Sequence, residues 1–145
     1  MSATGLDVFD HTVHTTNIWL DEISDRIGPD RKLAWKVLTT VLQALRDLLQ
    51  PDLAAHLSAQ LPLLVRGGYY DHYEPAGLPS DVSSGDEFLE RIAGGLAATR
   101  GVDPKDAVAA VFAVLDKHIS AGEADKIRNA LRKSIRVLWP RQAEA

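Results

Sequence analysis

The chain has 145 residues, of which 46% are hydrophobic and 25% charged. That fits one domain, or two small repeats sharing a core, and excludes wholesale disorder. Sixteen basic residues against twenty acidic ones give a net charge of −4, which argues against a general nucleic-acid coat. The absence of cysteine removes disulfides, thiolate metal sites, iron–sulfur clusters and a Cys nucleophile. No N-terminal basic region leads into an apolar run, and no stretch nears the roughly 18–20 apolar residues that cross a bilayer. A soluble cytoplasmic protein is the expectation.

Apolar residues recur at spacings of three and four along almost the whole chain. Phe9, Val13, Leu20, Ile23 and Ile27 make a first helical stripe. Gly28-Pro29 stops it, and Asp30 is placed to cap the next helix. A second stripe holds Leu33, Val37, Val41, Leu45, Leu48 and Leu49, and ends at Gln50-Pro51. The third holds Leu53, Leu57, Leu61, Leu64 and Val65, closed by Gly67-Gly68. Pro62 lies inside it, lacks a backbone donor and restricts Leu61, so this helix is expected to kink or restart there. Residues 69–83 are rich in Tyr, Asp, Pro, Gly and Ser without periodicity, and read as an ordered loop.

Ser84 and Ser120 each precede a Glu three residues on, the spacing of a capping box. Asp103-Pro104 sets an N-cap before a first-turn proline. The helices they open carry Phe88, Leu89, Ile92 and Leu96, then Val108, Val111, Phe112, Leu115 and Ile119. The last carries Ile127, Leu131, Ile135 and Leu138, and ends at Trp139-Pro140. No segment has the period of a strand.

The two halves resemble one another. At a shift of seventy, Val41, Leu45, Ala54, Leu61 and Arg66 meet Val111, Leu115, Ala124, Leu131 and Arg136. Leu49, Leu57, Val65 and Tyr69 meet Ile119, Ile127, Ile135 and Trp139. Amphipathic helices share apolar spacing anyway. The common order of long helix, cap, long helix, basic residue and aromatic stop favours duplication. The expected fold is all-α: a compact helical domain of two related three-helix repeats, residues 16–68 and 84–139, joined by the loop 69–83. Leu45, Leu49, Leu57, Leu61, Leu115, Ile127, Leu131 and Ile135 are expected in its core, with Trp19 and Trp35 contributing.

The run Gln60-Leu61-Pro62-Leu63-Leu64-Val65-Arg66-Gly67-Gly68-Tyr69-Tyr70 resembles a bacterial family called domain of unknown function 2267. Trp19-Leu20, Leu45-Arg46-Asp47 and the stretch from Val111-Phe112 to Leu138-Trp139-Pro140 support the resemblance, which spans roughly residues 15–140. It implies an all-helical fold in a bacterial protein. It implies no activity and no functional residue.

All three tyrosines lie within Arg66-Gly67-Gly68-Tyr69-Tyr70-Asp71-His72-Tyr73-Glu74. Tyrosine joins an apolar ring to a polar tip, and Arg66 could fork a carboxylate or phosphate. The alternative is a structural cover, with Arg66 paired to Asp71 or Glu74. Arg66, Tyr69, Tyr70, His72, Tyr73 and Trp139 are the candidate ligand- or partner-binding residues. His11 and His14 share a helix face but lack further ligands for a metal. Arg128, Arg132 and Arg136 form an i, i+4, i+8 row on the last helix, a solvated face or a weak nucleic-acid stripe. No nucleophile elbow, phosphate loop or dinucleotide fingerprint is present, so no catalytic residue, cofactor or metal is expected. The leading expectation is a non-catalytic interaction or structural module, binding a protein partner or itself. The alternative is a small-molecule or enzymatic pocket between the repeats, lined by the Arg66–Glu74 segment.

Overall fold

The computed structural model describes residues 3–140, and every regular element among them is helical. The first four helices are α1 (Asp7–Ile27), α2 (Arg31–Arg46), α3 (Pro51–Ala59) and α4 (Leu63–Tyr70). The next four are α5 (Gly85–Gly95), α6 (Pro104–His118), α7 (Ala121–Ala130) and α8 (Lys133–Arg136).

Local chemistry sets most of the boundaries. The side chains of Asp30, Ser84, Asp103 and Ser120 each accept a backbone N–H of the first turn, at the four N-caps the sequence marks. Pro62 ends the third stripe as one helix and caps a new one, so that stripe is α3 followed by α4. The last stripe breaks in the same way at Arg132, seventy residues on, giving α7 and α8. Among the described residues, eight helices therefore stand where six stripes are legible.

Gly67 and Gly68 do not stop a helix. They lie inside α4, which runs on through Tyr69 and Tyr70. A Cβ on Gly68 would sit 2.7 Å from Thr39 Cγ2 and 3.1 Å from Trp35 Cζ2, so this glycine lets α4 cross close over α2. Gly95 does the same for α5, where a Cβ would meet Thr40 Cγ2 at 2.6 Å.

Helix α2 is central and packs against α1, α4, α5 and α6. α1 also meets α6, and α3 meets α7 across the two halves of the chain. One apolar cluster runs through both halves. All eight expected core residues are buried in it with Trp19, and Trp35 packs half-buried against it.

The first stripe holds only in part. Leu20 and Ile23 are buried, whereas Phe9 and Val13 are exposed. Over its first turns α1 turns Thr12 and Thr16 inward, Thr12 against the start of α4, and leaves Phe9 and Val13 uncovered. Leu64 of the third stripe is exposed as well, because α4 restarts at Leu63 with Val65 and Tyr69 as its buried positions.

Candidate functional site

The aromatic segment is built around a buried cation. Arg46 closes α2 inside an apolar stripe and is 2% exposed. Its Nε donates to Asp47 Oδ1 at 2.8 Å, and its Nη1 donates to the carbonyls of Tyr69 at 2.7 Å and Asp71 at 2.8 Å. The guanidinium also lies 5.0 Å from the Tyr73 ring centroid. Asp47 takes a second cation, Arg91 Nη2, at 2.6 Å on Oδ2, and its backbone carbonyl accepts from Ser80 N. Burial raises the Asp47 carboxyl, but the hydrogen bonds from Arg46 and Arg91 outweigh it and hold the group below its ordinary value. One charged cluster thus ties α2, the end of α4, the following loop and α5.

The candidate residues divide around this cluster. Tyr69 is buried and donates from its hydroxyl to Ala54 O at 2.7 Å, and burial pushes its phenol well above the ordinary range. Tyr70 donates to Ser58 Oγ, with its ring edge-on to Tyr69. Arg66 pairs with neither Asp71 nor Glu74; its Nε donates to Ser58 O and its Nη2 to Leu61 O, so it caps the carbonyls at the α3–α4 break. Tyr73 packs against Tyr70, and its hydroxyl is buried with no partner. Its phenol is raised, by burial first and by Tyr70 second. His72 stands apart: its backbone has φ 61° and its side chain is 83% exposed. Arg66, Tyr69, Tyr70 and Tyr73 therefore come together, and His72 faces solvent.

Trp139 belongs to a separate cluster. Its ring stacks on Phe112 at 4.5 Å, and its Nε1 donates to Asp116 Oδ2 at 3.0 Å. Arg128 lies 4.8 Å from the Trp139 ring centroid, bonds the Trp139 carbonyl from Nε, and pairs with Asp116 and Asp125. The expected basic stripe is therefore broken. Arg128 is buried and paired, Arg136 donates to Leu131 O, and Arg132 lies past the end of α7. The sequence pattern places Arg128 only in that basic row and does not mark Arg46 as a site at all. The available signal was a charge inside an apolar stripe, as in Leu45-Arg46-Asp47-Leu48.

Two further features lie away from these clusters. Leu6 at the N-cap of α1, Phe9 and Val13 within it, and Leu63 and Leu64 of α4 are 41–51% exposed. Thr12 Oγ1, between the α1 residues, accepts the backbone N–H of Leu64 at 3.1 Å, which fixes the two helices side by side. A cleft of about 320 Å³ opens where the halves meet, floored by Leu49, Leu131 and Ile135. None of the six candidate residues lines it. Among the described residues no three His, Asp or Glu side chains gather as metal ligands, and no helix is long and apolar enough to cross a membrane.

Residues 16–138 match the model of a family described as an uncharacterized conserved protein, DUF2267. The chain belongs to the DUF2267 family. A comparison with curated proteins gives no match. The DUF2267 span includes the Arg46 cluster, the aromatic segment and the cleft, and it begins after Leu6, Phe9 and Val13.

Proposed function

We propose that this DUF2267 protein is a non-catalytic interaction module that pairs with a second copy of itself through the α1–α4 face. The pattern of α1 carries the reading. Leu6, Phe9, Val13, Thr16, Leu20, Ile23 and Ile27 follow alternating spacings of three and four, the seam of two packed helices. The C-terminal part of that seam, Thr16, Leu20 and Ile23, is buried in the chain's own core. The N-terminal part continues on the same side of the helix into solvent, beside Leu63 and Leu64. Such a face asks for another helix. α1 of a second copy supplies one with the same seam, and a twofold contact needs one self-complementary patch. None of the five side chains in the patch is charged, which spares the pair repulsion at its centre.

The aromatic segment, first choice from sequence, is read as structural. Its arginine and two of its three tyrosines are bonded inside the chain, and the exposed His72 faces only the exposed Asp71, at 3.6 Å. The charged side chains that are buried bond each other and backbone carbonyls, which supports a role without catalysis.

We also read the fold as two copies of one helical unit. The hydrogen bonds of Arg66 to Leu61 O and of Arg136 to Leu131 O are seventy residues apart, as are the breaks at Pro62 and Arg132. Tyr69 and Trp139 correspond at the same shift, and each has its carbonyl held by a buried arginine.

Light scattering tests the pairing. The wild-type protein is expected as a dimer and the Phe9→Ser/Leu64→Ser variant as a folded monomer. A wild-type monomer at micromolar concentration overturns the reading, as does a dimer unaffected by the two changes.

A further inference from the structure

The cleft between the halves has the makings of a ligand site that no sequence motif announces. Its floor is Leu49, Leu131 and Ile135, all buried, and Leu53 and Val82 form half-buried walls. Its volume of about 320 Å³ falls at the small end of ligand sites, which run from roughly 300 to 1,000 Å³ and favour junctions between units. One cation stands at its edge. Arg132 lines the cleft, is exposed, and its guanidinium has no hydrogen bond or ion pair to any described residue. Every other arginine discussed above, Arg46, Arg66, Arg91, Arg128 and Arg136, is bonded within the chain.

One tie made in the first half has no counterpart at the cleft. Seventy positions before Ala130 stands Gln60, and its Oε1 accepts the backbone N–H of Ser120, tying the end of α3 to the start of α7. At Ala130, which lines the cleft, a methyl group cannot make the corresponding tie toward Gln50.

We propose that this cleft binds an amphipathic carboxylate, its apolar body on Leu49, Leu53, Leu131 and Ile135 and its head group on Arg132. A single guanidinium fork matches the two oxygens of a carboxylate. A lone guanidinium offers a single positive charge, which suits a monoanion over a dianion such as a phosphate monoester.

Octanoate is the probe, followed by amide chemical shifts of the isotope-labelled protein. Saturable changes are expected at Leu49, Leu53, Leu131 and Ile135. Arg132→Gln is expected to weaken binding by about tenfold or more, and octanol, with the same chain and no charge, to bind comparably weakly. Ala130→Gln, at an exposed position, is expected to fill the cleft and abolish the changes while leaving the unfolding midpoint in place. No saturable change overturns the proposal, and so do changes centred on Phe9, Val13 and Leu64. Binding that survives Arg132→Gln, or octanol bound as tightly as octanoate, overturns the assignment of the head group.

Discussion

Two tyrosines four positions apart make a contrast that separates packing from hydrogen bonding. Tyr69 gives its hydroxyl to the Ala54 carbonyl, whereas the Tyr73 hydroxyl is buried without a partner. Tyr69→Phe removes the second hydrogen bond to a carbonyl already paired within α3, and is expected to cost about 1 kcal/mol in urea unfolding. Tyr73→Phe removes an unsatisfied group and is expected to be neutral or stabilising. Equal losses in both would mean that the rings, not the hydroxyls, carry this segment. Arg46 carries higher stakes. Its replacement by Met leaves two carbonyls and part of Asp47 without their donor, and a loss of about 3–5 kcal/mol is expected. Asp47 adds a pH signature. Its folded pKa lies below its ordinary value of 3.8, so its stabilisation is fully present above that pH and is lost as pH falls through the folded value. Acid titration of Asp47→Asn is expected to show a shallower loss below about pH 4 than wild type. These clusters were hard to read in the sequence because a buried charge is visible only through its partners. Arg46 meets Tyr69, and Arg128 meets Trp139, across turns of chain that no local pattern links.

At the level of elements, caps were legible and close approaches were not. A cap is written in adjacent residues, so Asp30, Ser84, Asp103 and Ser120 all announced their helices. Glycine is ambiguous, since the same residue can stop a helix or admit a neighbour, and Gly67-Gly68 looked like a stop. The approach of α2 to Gly68 decides between the two. Gly68→Ala places a methyl 2.7 Å from Thr39 Cγ2, and a loss of about 1–3 kcal/mol is expected in thermal or urea unfolding. Thr39→Ser removes that Cγ2 and keeps a hydroxyl able to bond the Trp35 carbonyl. The double variant is therefore expected to lose less than the sum of the singles. Strict additivity would show that α4 shifts as a whole instead of straining at this crossing. The exposed seam of α1 was half legible for a related reason. Its three-and-four spacing marks an apolar face but does not say which of two helices, internal or external, will cover it.

The whole molecule joins these levels, because neither half closes its own core. α2 of the first half packs on α5 and α6 of the second, and α1 on α6. Val37, Val41, Val111 and Leu115 belong to one apolar cluster that spans both halves, and the halves are expected to unfold in one transition despite their resemblance. Tryptophans report on both: Trp19 and Trp35 sit in the first half, Trp139 in the second. Fluorescence of a Trp139→Phe variant and its far-ultraviolet circular dichroism are expected to give coincident urea curves. Separate midpoints would mean two cores and would count against a shared one. The pairing proposed for α1 adds a second dependence. A partner that binds only the folded chain stabilises it by mass action, so the wild-type urea midpoint is expected to rise with protein concentration. The Phe9→Ser/Leu64→Ser variant is expected to lose that rise while keeping the single transition. Its two changes lie on the exposed face and leave the cluster around α2 intact. A midpoint independent of concentration in both proteins would leave the shared core standing and remove the dimer.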